Sequence, residues 1–368
     1  MNKADFIPWA KPDFWGKEKE YLIEALESTW ISGGPFVERF EAEFAKYCGS
    51  RFALTASNGT TALSLTYNAL GLGPGDEIIV PGFSFLAVAN LAIHMGAKPV
   101  FAEVDPETLC VRAEDFEPHI SKKTRALVPV HTYGNVCAMD DILALGLKHN
   151  IPVIEDTAEA FASIYKGRQA GTMGLMGSYS FHATKTITTG EGGMVVTNDE
   201  ELAKKMALYR SHGLMRKTHY WHELPGNNYR LTNLQAALGV AQMQRLDRII
   251  AERKRVHASY NALLGSEGGI TLQKFEPDVV PVLWAIALKL DGKAFPQGRD
   301  AVITQLREAN IETRPGFYTP SQMPHIYDCP PLPVCEAIAR QTISLPTYPT
   351  LTDEQIGYIC ETLKNLRG

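Results

Sequence analysis

From about residue 51 the chain alternates short apolar runs rich in β-branched residues with longer stretches whose apolar side chains recur at helical spacing. Residues 51–56 read as a strand, and 60–70 as a helix that buries most of its surface through Leu63, Leu65, Tyr67 and Leu70. Strands are also predicted at 77–80, 99–104, 126–131, 151–154, 178–181 and 194–197. Helices fit between many of them, notably 139–149 after Gly134 and 200–211 after Asn198-Asp199, whose side chains suit an N-cap. Strands separated by helices of this length favour a mostly parallel sheet covered on both faces, so the fold class is α/β.

The pattern changes near 231, where one long helical stretch runs to about 262 and reads as a link between domains. Beyond it come a strand at 283–290, a helix at 300–309, a Pro-rich loop at 315–333 and a closing helix at 352–366. The expected division is a large domain over 1–245 and a smaller α+β domain over 246–368, with the N-terminal segment free to pack on the smaller one. No internal repeat or low-complexity tract interrupts this plan.

Length fits two domains and a core that needs no disulfides. With 36 basic and 41 acidic residues the net charge is −5, and no basic stripe concentrates Lys and Arg, which argues against nucleic acid as a partner. The longest apolar stretches, 83–93 and 279–288, fall short of the roughly 18 residues that span a bilayer. Lys3, Asp5, Lys11 and Asp13 break up the N-terminal apolar pieces, so no signal peptide is read and a cytoplasmic protein is expected. The six cysteines form no C-x-x-C pair and read as free thiols, with no metal site indicated.

Ligands of open parallel sheets gather at the carboxyl ends of strands, and four polar groups fall there. Ser57-Asn58-Gly59-Thr60-Thr61 joins a strand to a helix. Gly59 permits close backbone approach, and free N–H groups with the Thr60 hydroxyl suit a phosphate, although these residues taken alone read first as a plain N-cap with a tight turn. Glu155-Asp156, with Glu159 one turn on, follows an apolar strand; adjacent carboxylates point apart, so at least one faces the crevice. With no His or Cys cluster beside them, a protonated heterocycle suits them better than a metal, unless they merely cap a helix. Lys185 sits after a strand that includes Ser180, with hydroxyls on both sides and Gly190-Glu191-Gly192-Gly193 beyond; in a crevice it would be a nucleophilic amine, elsewhere a surface lysine. His182 reads as a structural histidine, and Asn227-Asn228-Tyr229-Arg230 as either a capping loop or a set of anion donors.

Taken in order and spacing, these segments resemble the DegT/DnrJ/EryC1/StrS family of sugar aminotransferases, fold type I enzymes that use pyridoxal 5′-phosphate. The resemblance starts at Trp30-Ile31-Ser32-Gly33-Gly34 and runs through Gly73-Pro74-Gly75-Asp76-Glu77, Pro99-Val100-Phe101, Pro129-Val130-His131 and Asn228-Tyr229-Arg230-Leu231-Thr232-Asn233. It implies that Lys185 bonds covalently to the cofactor aldehyde and later moves protons, while Asp156 pairs with the pyridinium nitrogen. It also implies that Phe85 stacks on the ring, that Gly59, Thr60 and Ser180 hold the phosphate, that Glu159 lies near the ring hydroxyl, and that Asn228 reaches the site of a neighbouring subunit in a homodimer. L-Glutamate is the implied donor and a keto sugar the acceptor. The chain looks most like the branch that aminates C4 of a GDP-linked 4-keto-6-deoxymannose for cell-surface polysaccharide or lipopolysaccharide synthesis. Two segments depart from that branch: Phe181-His182-Ala183-Thr184 stands where relatives often have Phe-Phe-Gly-Asn, and Ser321 stands where they often have histidine. These leave open an unlinked acceptor such as an oxidised octulosonate. A related dehydratase branch carries histidine in place of the lysine, which Lys185 argues against, and a cofactor-binding regulator on the same fold is the reading from another class.

Overall fold

The computed structural model describes residues 5–215 and 218–368; Lys3 of the signal-peptide argument lies outside them. Strand Phe52–Ala56 pairs antiparallel with Gly193–Thr197, which pairs antiparallel with Met176–Ser180, which lies parallel to Ile154–Asp156. A second set, Lys98–Ala102, Glu77–Pro81 and Thr124–Leu127, is wholly parallel. Parallel bridges from Leu127 to Val153 and from Val130 to Asp156 stitch the two sets into one continuous sheet. Only Gly193–Thr197 runs against its neighbours, so the sheet is mostly parallel and its carboxyl ends share one edge. There the chain leaves Ala56 for Asn58-Gly59, Pro81 for Phe85, and Ser180 for Lys185.

Helix Pro35–Cys48 has proline at its first position and ends on Gly49 at φ 71°. Its Phe36, Phe40, Phe44 and Cys48 recur every four residues and are all buried. Phe40 and Phe44 meet Phe181 at centroid distances of 5.1 and 5.5 Å, and Phe44 meets Tyr179 at 5.0 Å. Each such ring contributes about 1.5–3 kcal/mol through burial, and together they hold the strand that delivers Ser180 and Lys185 from behind. This helix and Glu18–Glu27 precede the region in which elements were predicted.

The long helix expected over 231–262 is two helices, Asn233–Met243 and Leu246–Leu264. Neither Pro nor Gly marks the break. Arg245 leaves the helical region at φ −112°, ψ 6°, while Gln242 Nε2 donates to Glu18 Oε1 at 2.6 Å and Gln244 Nε2 donates to the Tyr21 hydroxyl at 3.1 Å. Tertiary partners from the N-terminal segment thus shape the joint.

A four-stranded antiparallel sheet, in the order Ile270–Leu272, Ile286–Leu290, Thr342–Leu345, Arg314–Pro315, follows. Helices Leu246–Leu264, Arg299–Glu308 and Asp353–Asn365 supply the rest of a separate core built on Val256, Tyr260, Val302, Leu306, Ile356 and Leu363. Ile7 joins this second core and bridges Ile311. Among the described residues no helix is long and apolar enough to cross a membrane.

Candidate active site

At the shared carboxyl edge lies a cavity of about 570 Å³, lined by Asn58, Gly59, Thr60, Phe85, Asp156, Glu159, Ser180, His182, Lys185, Trp9, Trp284 and Phe317 among others. Every site residue predicted from the sequence borders it except Asn228, which is exposed and accepts from Arg230 Nε at 3.0 Å.

Asn58 caps helix Gly59–Leu70 through a capping box. Its side chain accepts from the Thr61 N–H at 2.8 Å, and its own N–H donates to Thr61 Oγ1 at 3.0 Å. The plain-cap reading is therefore correct for Asn58 and Thr61. It leaves the Gly59 and Thr60 N–H groups without an acceptor among the described residues, and these point from a helix start, where anions are favoured. A Cβ on Gly59 would stand 2.7 Å from Ser180 Cβ, so only glycine lets the turn lie this close to the strand end. That cradle, with the Thr60 and Ser180 hydroxyls beside it, fits a phosphate group.

Glu155 and Asp156 are the last residues of strand Ile154–Asp156 rather than its successors, because the ladder with Met176–Ser180 extends through Asp156. The alternation of a strand sends them to opposite faces. Asp156 faces the cavity, with Oδ1 accepting from the Ala158 N–H at 3.0 Å. Glu155 points away into the interior, where Oε2 meets His131 Nε2 at 2.9 Å and the Gly171 N–H at 2.7 Å, and Oε1 takes the Met173 and Gly174 N–H groups at 2.7 and 2.6 Å. Glu159 follows in a turn, not a helix, and accepts from the Tyr133 N–H at 2.9 Å. Tyr133 takes the left-handed conformation at φ 57°, unusual for a bulky residue, and its ring lies between Phe317 at 5.2 Å and Trp284 at 6.2 Å.

Lys185 Nζ lies 3.7 Å from Glu159 Oε1 and 3.9 Å from the centroid of the Trp284 ring. Burial pushes its pKa down against the pull of Glu159 and Asp156. Burial likewise pushes the Asp156 and Glu159 carboxyls up, with Lys185 opposing in both cases. The arrangement joins an amine poised toward its nucleophilic form to two carboxylates that gain by meeting a cation. His182 is exposed at the rim, Nδ1 accepting from the Thr184 N–H at 3.3 Å and Nε2 3.8 Å from Glu191, so it borders the cavity instead of serving the core.

Sequence reasoning missed the aromatic wall. Trp9 reaches the cavity from the N-terminal segment, with Nε1 donating to Ser344 Oγ at 2.9 Å and its ring edge-on to Trp284 at 5.6 Å. Trp284 lies in a run that reads locally as plain core, and Phe317 in the Pro-rich loop; only the spatial meeting of distant segments reveals them.

The sequence matches the profile of the DegT/DnrJ/EryC1/StrS aminotransferase family over residues 13–364. The chain belongs to that family. It is 41% identical over 368 residues to GDP-perosamine synthase of Caulobacter vibrioides, covering 99% of each chain. It is 41% identical over 360 residues to GDP-perosamine synthase of Escherichia coli O157:H7, covering 97% of this chain and 98% of that one. Among solved structures, Helicobacter pylori PseC, an aminotransferase involved in the biosynthesis of pseudoaminic acid, superposes with a TM-score of 0.94 at 27% identity, over 98% of this chain and 99% of that one. As a member of the family the chain is an aminotransferase of fold type I whose cofactor is pyridoxal 5′-phosphate. The residues present fit that group: a phosphate cradle at Gly59-Thr60, an acidic side chain at Asp156, and a half-buried lysine that borders the same cavity.

Proposed function

We propose that the chain transfers the amino group of L-glutamate to C4 of a nucleotide-linked 4-keto-6-deoxyhexose, with Lys185 as nucleophile and proton carrier and Asp156 as partner of the cofactor's ring nitrogen. One observation carries this reading: the Lys185 amine, Asp156 and the Gly59 cradle border a single cavity at the carboxyl edge of the sheet. Bound pyridoxal 5′-phosphate supplies an aldehyde that condenses with amines and a conjugated ring that accepts the electron pair of a breaking C–H bond. Asp156 keeps a proton on the ring nitrogen, where its carboxylate gains the cation that burial makes it need. The Gly59 and Thr60 N–H groups, with the Thr60 and Ser180 hydroxyls, bind the phosphate; Phe85 covers a ring face, and Glu159 lies beside the ring hydroxyl. Lys185 Nζ takes the proton from the donor Cα and delivers it at C4′, then works in reverse on the acceptor.

A second cavity of about 730 Å³ supports a nucleotide-linked acceptor. It shares Thr60, Phe85, Ala87 and Phe317 with the first, and its lining includes Arg314, His94, His325, Asn90 and Tyr318 but no carboxylate. Cationic and aromatic groups together suit a diphosphate joined to a base. The names of the two relatives, both GDP-perosamine synthase, support a GDP-linked sugar as the first candidate to test.

A homodimer supports the site. Leu22, Ile23, Leu26, Trp30 and Ile31 are exposed apolar residues beside helix Asn233–Met243, to which Ile31 bonds through its carbonyl, and a second copy would cover them. The partner subunit's Asn228 would then reach the phosphate, in keeping with its absence from the cavity of its own chain. The free thiols suit the reducing cytoplasm, and products of this chemistry serve surface polysaccharide or lipopolysaccharide synthesis.

The test pairs glutamate with a panel of GDP-, UDP- and dTDP-linked and free keto sugars, read by mass spectrometry. Amination of nucleotide-linked members is expected, and amination of only the unlinked ones would reject this acceptor class. Borohydride treatment of the loaded protein followed by peptide mapping should place the adduct on Lys185; an adduct elsewhere would remove its assigned role.

A further inference from the structure

A lysine that bonds to a cofactor in one stage and carries protons in another needs a resting place for its charge when it is released. Around Lys185 the charged groups are Glu159, whose Oε1 is 3.7 Å from Nζ, and Asp156; His182 and Glu191 stand at the rim, and the Arg253 guanidinium lies behind the backbone. Asp156 is committed to the ring nitrogen, and Glu159, whose Oε2 holds the Tyr133 N–H, offers Nζ its other oxygen. The other group against Nζ is the face of Trp284, with the ring centroid 3.9 Å away.

That face is held in place on every side. Trp284 is buried, and its Nε1 donates to the carbonyl of Thr184, the residue before the lysine, at 2.8 Å. Its ring lies at 14° to Tyr133 and edge-on to Trp9. The preceding residue, Leu283, adopts a left-handed conformation at φ 59°, a cost that the surrounding contacts must offset. Buried Arg253 ties both residues together, with Nη1 donating to the Trp284 carbonyl at 3.1 Å and Nη2 to the Lys185 carbonyl at 3.5 Å. An indole so fixed presents the negative face of its quadrupole to whatever charge Nζ carries.

We propose that Trp284 is a positioning residue that seats the Lys185 ammonium whenever the lysine is not bonded to the cofactor, and so favours the protonated form. The proposal rests on Lys185 having the role argued above. In the donor half-reaction the Cα–H bond breaks, its electron pair passes into the conjugated ring, and the proton forms a new N–H bond on Nζ. The indole face stabilises the ammonium made in that step until the proton is delivered at C4′. Burial opposes the ammonium, and the aromatic face joins Glu159 in offsetting that opposition without adding a further carboxylate that would compete for the proton.

The experiment replaces Trp284 with 5-fluoro-, difluoro- and tetrafluorotryptophan by stop-codon suppression. The series preserves ring size and the Nε1 donor while it progressively empties the face of negative charge. In the full chain freed of cofactor, competitive acetylation with acetic anhydride across pH, read on the Lys185 peptide by mass spectrometry, gives the midpoint of its titration. The midpoint should fall stepwise along the series, by a total of about half a unit to one and a half units. A midpoint unmoved across variants that melt like the parent overturns the proposal, because a packing role alone is insensitive to fluorination. Glu159→Gln, which removes the neighbouring charge and leaves the ring, should lower the midpoint independently. Borohydride mapping of the loaded parent is read separately, so a failure of the Lys185 assignment is distinguishable from a failure of the indole seat.

Discussion

Replacing Glu155 by glutamine tests how the floor of the site is held. The carboxylate is fully buried and accepts four hydrogen bonds, two on each oxygen. His131 Nδ1 accepts from the Cys137 N–H at 3.3 Å, which places the imidazole proton on Nε2 and makes His131 a donor to Glu155 as well. All four partners therefore donate, and a glutamine amide placed either way turns its NH2 toward two donors. Two hydrogen bonds to a charged acceptor are lost, at about 1.5–3 kcal/mol each, for a total of about 3–6 kcal/mol. Unfolding entropy of about 2.1 cal/mol/K per residue gives about 0.8 kcal/mol per kelvin over 368 residues, so the melting temperature should fall by about 4–8 °C. Scanning calorimetry on the cofactor-free chain measures this directly. A Glu155→Gln variant that melts within a degree of the parent would refute the four-donor account, since it would require one partner to be an acceptor.

Asp156→Asn should act in the opposite sense on stability. Burial raises the Asp156 pKa in the folded chain, so the stability linked to its protonated form is present in acid and lost as pH rises through the raised value. The cofactor-free variant should melt above the parent at neutral pH, with the gap closing as pH falls toward the ordinary carboxyl value of 3.8, while cofactor retention on gel filtration drops; a gap independent of pH would contradict the assignment. Arg314→Ala should raise KM for the nucleotide-linked acceptor about tenfold, the equivalent of one charge-assisted hydrogen bond, and an unchanged KM would exclude the second cavity as the diphosphate site.

Much of the frame was legible because local signals and tertiary structure agreed. Helix Met139–His149 falls on its predicted bounds, and Asp199 caps Glu200–Arg210 by accepting the Leu202 N–H at 3.0 Å. Helix Pro35–Cys48 also carries a readable signature, with proline at its start, phenylalanines four apart and glycine at its end, but it stands before the strand–helix alternation and so outside the elements predicted. The strand predicted at 151–154 lies later, at Ile154–Asp156, because pairing with Met176–Ser178 decides its bounds and apolar character does not. The kink at Arg245 and the aromatic wall of Trp9, Trp284 and Phe317 left no local trace. Each depends on segments hundreds of positions apart, and a Trp in an apolar run looks the same whether it faces a core or a lysine.

The tie between Trp9 and the far end of the chain orders events during synthesis. Ser344 receives the Trp9 indole N–H, the Thr347 N–H donates to the Trp9 carbonyl, and Thr350 holds Asp13. A nascent polypeptide can assemble the sheet and its lysine early, yet the wall that Trp9 forms gains its full set of supports, Trp284 and Glu312 first and Ser344 and Thr347 after them, only as the later segments emerge from the ribosome. Closure of the catalytic chamber therefore waits on the segment that carries Ser344 and Thr347, and a chain truncated before it would leave the pocket ajar.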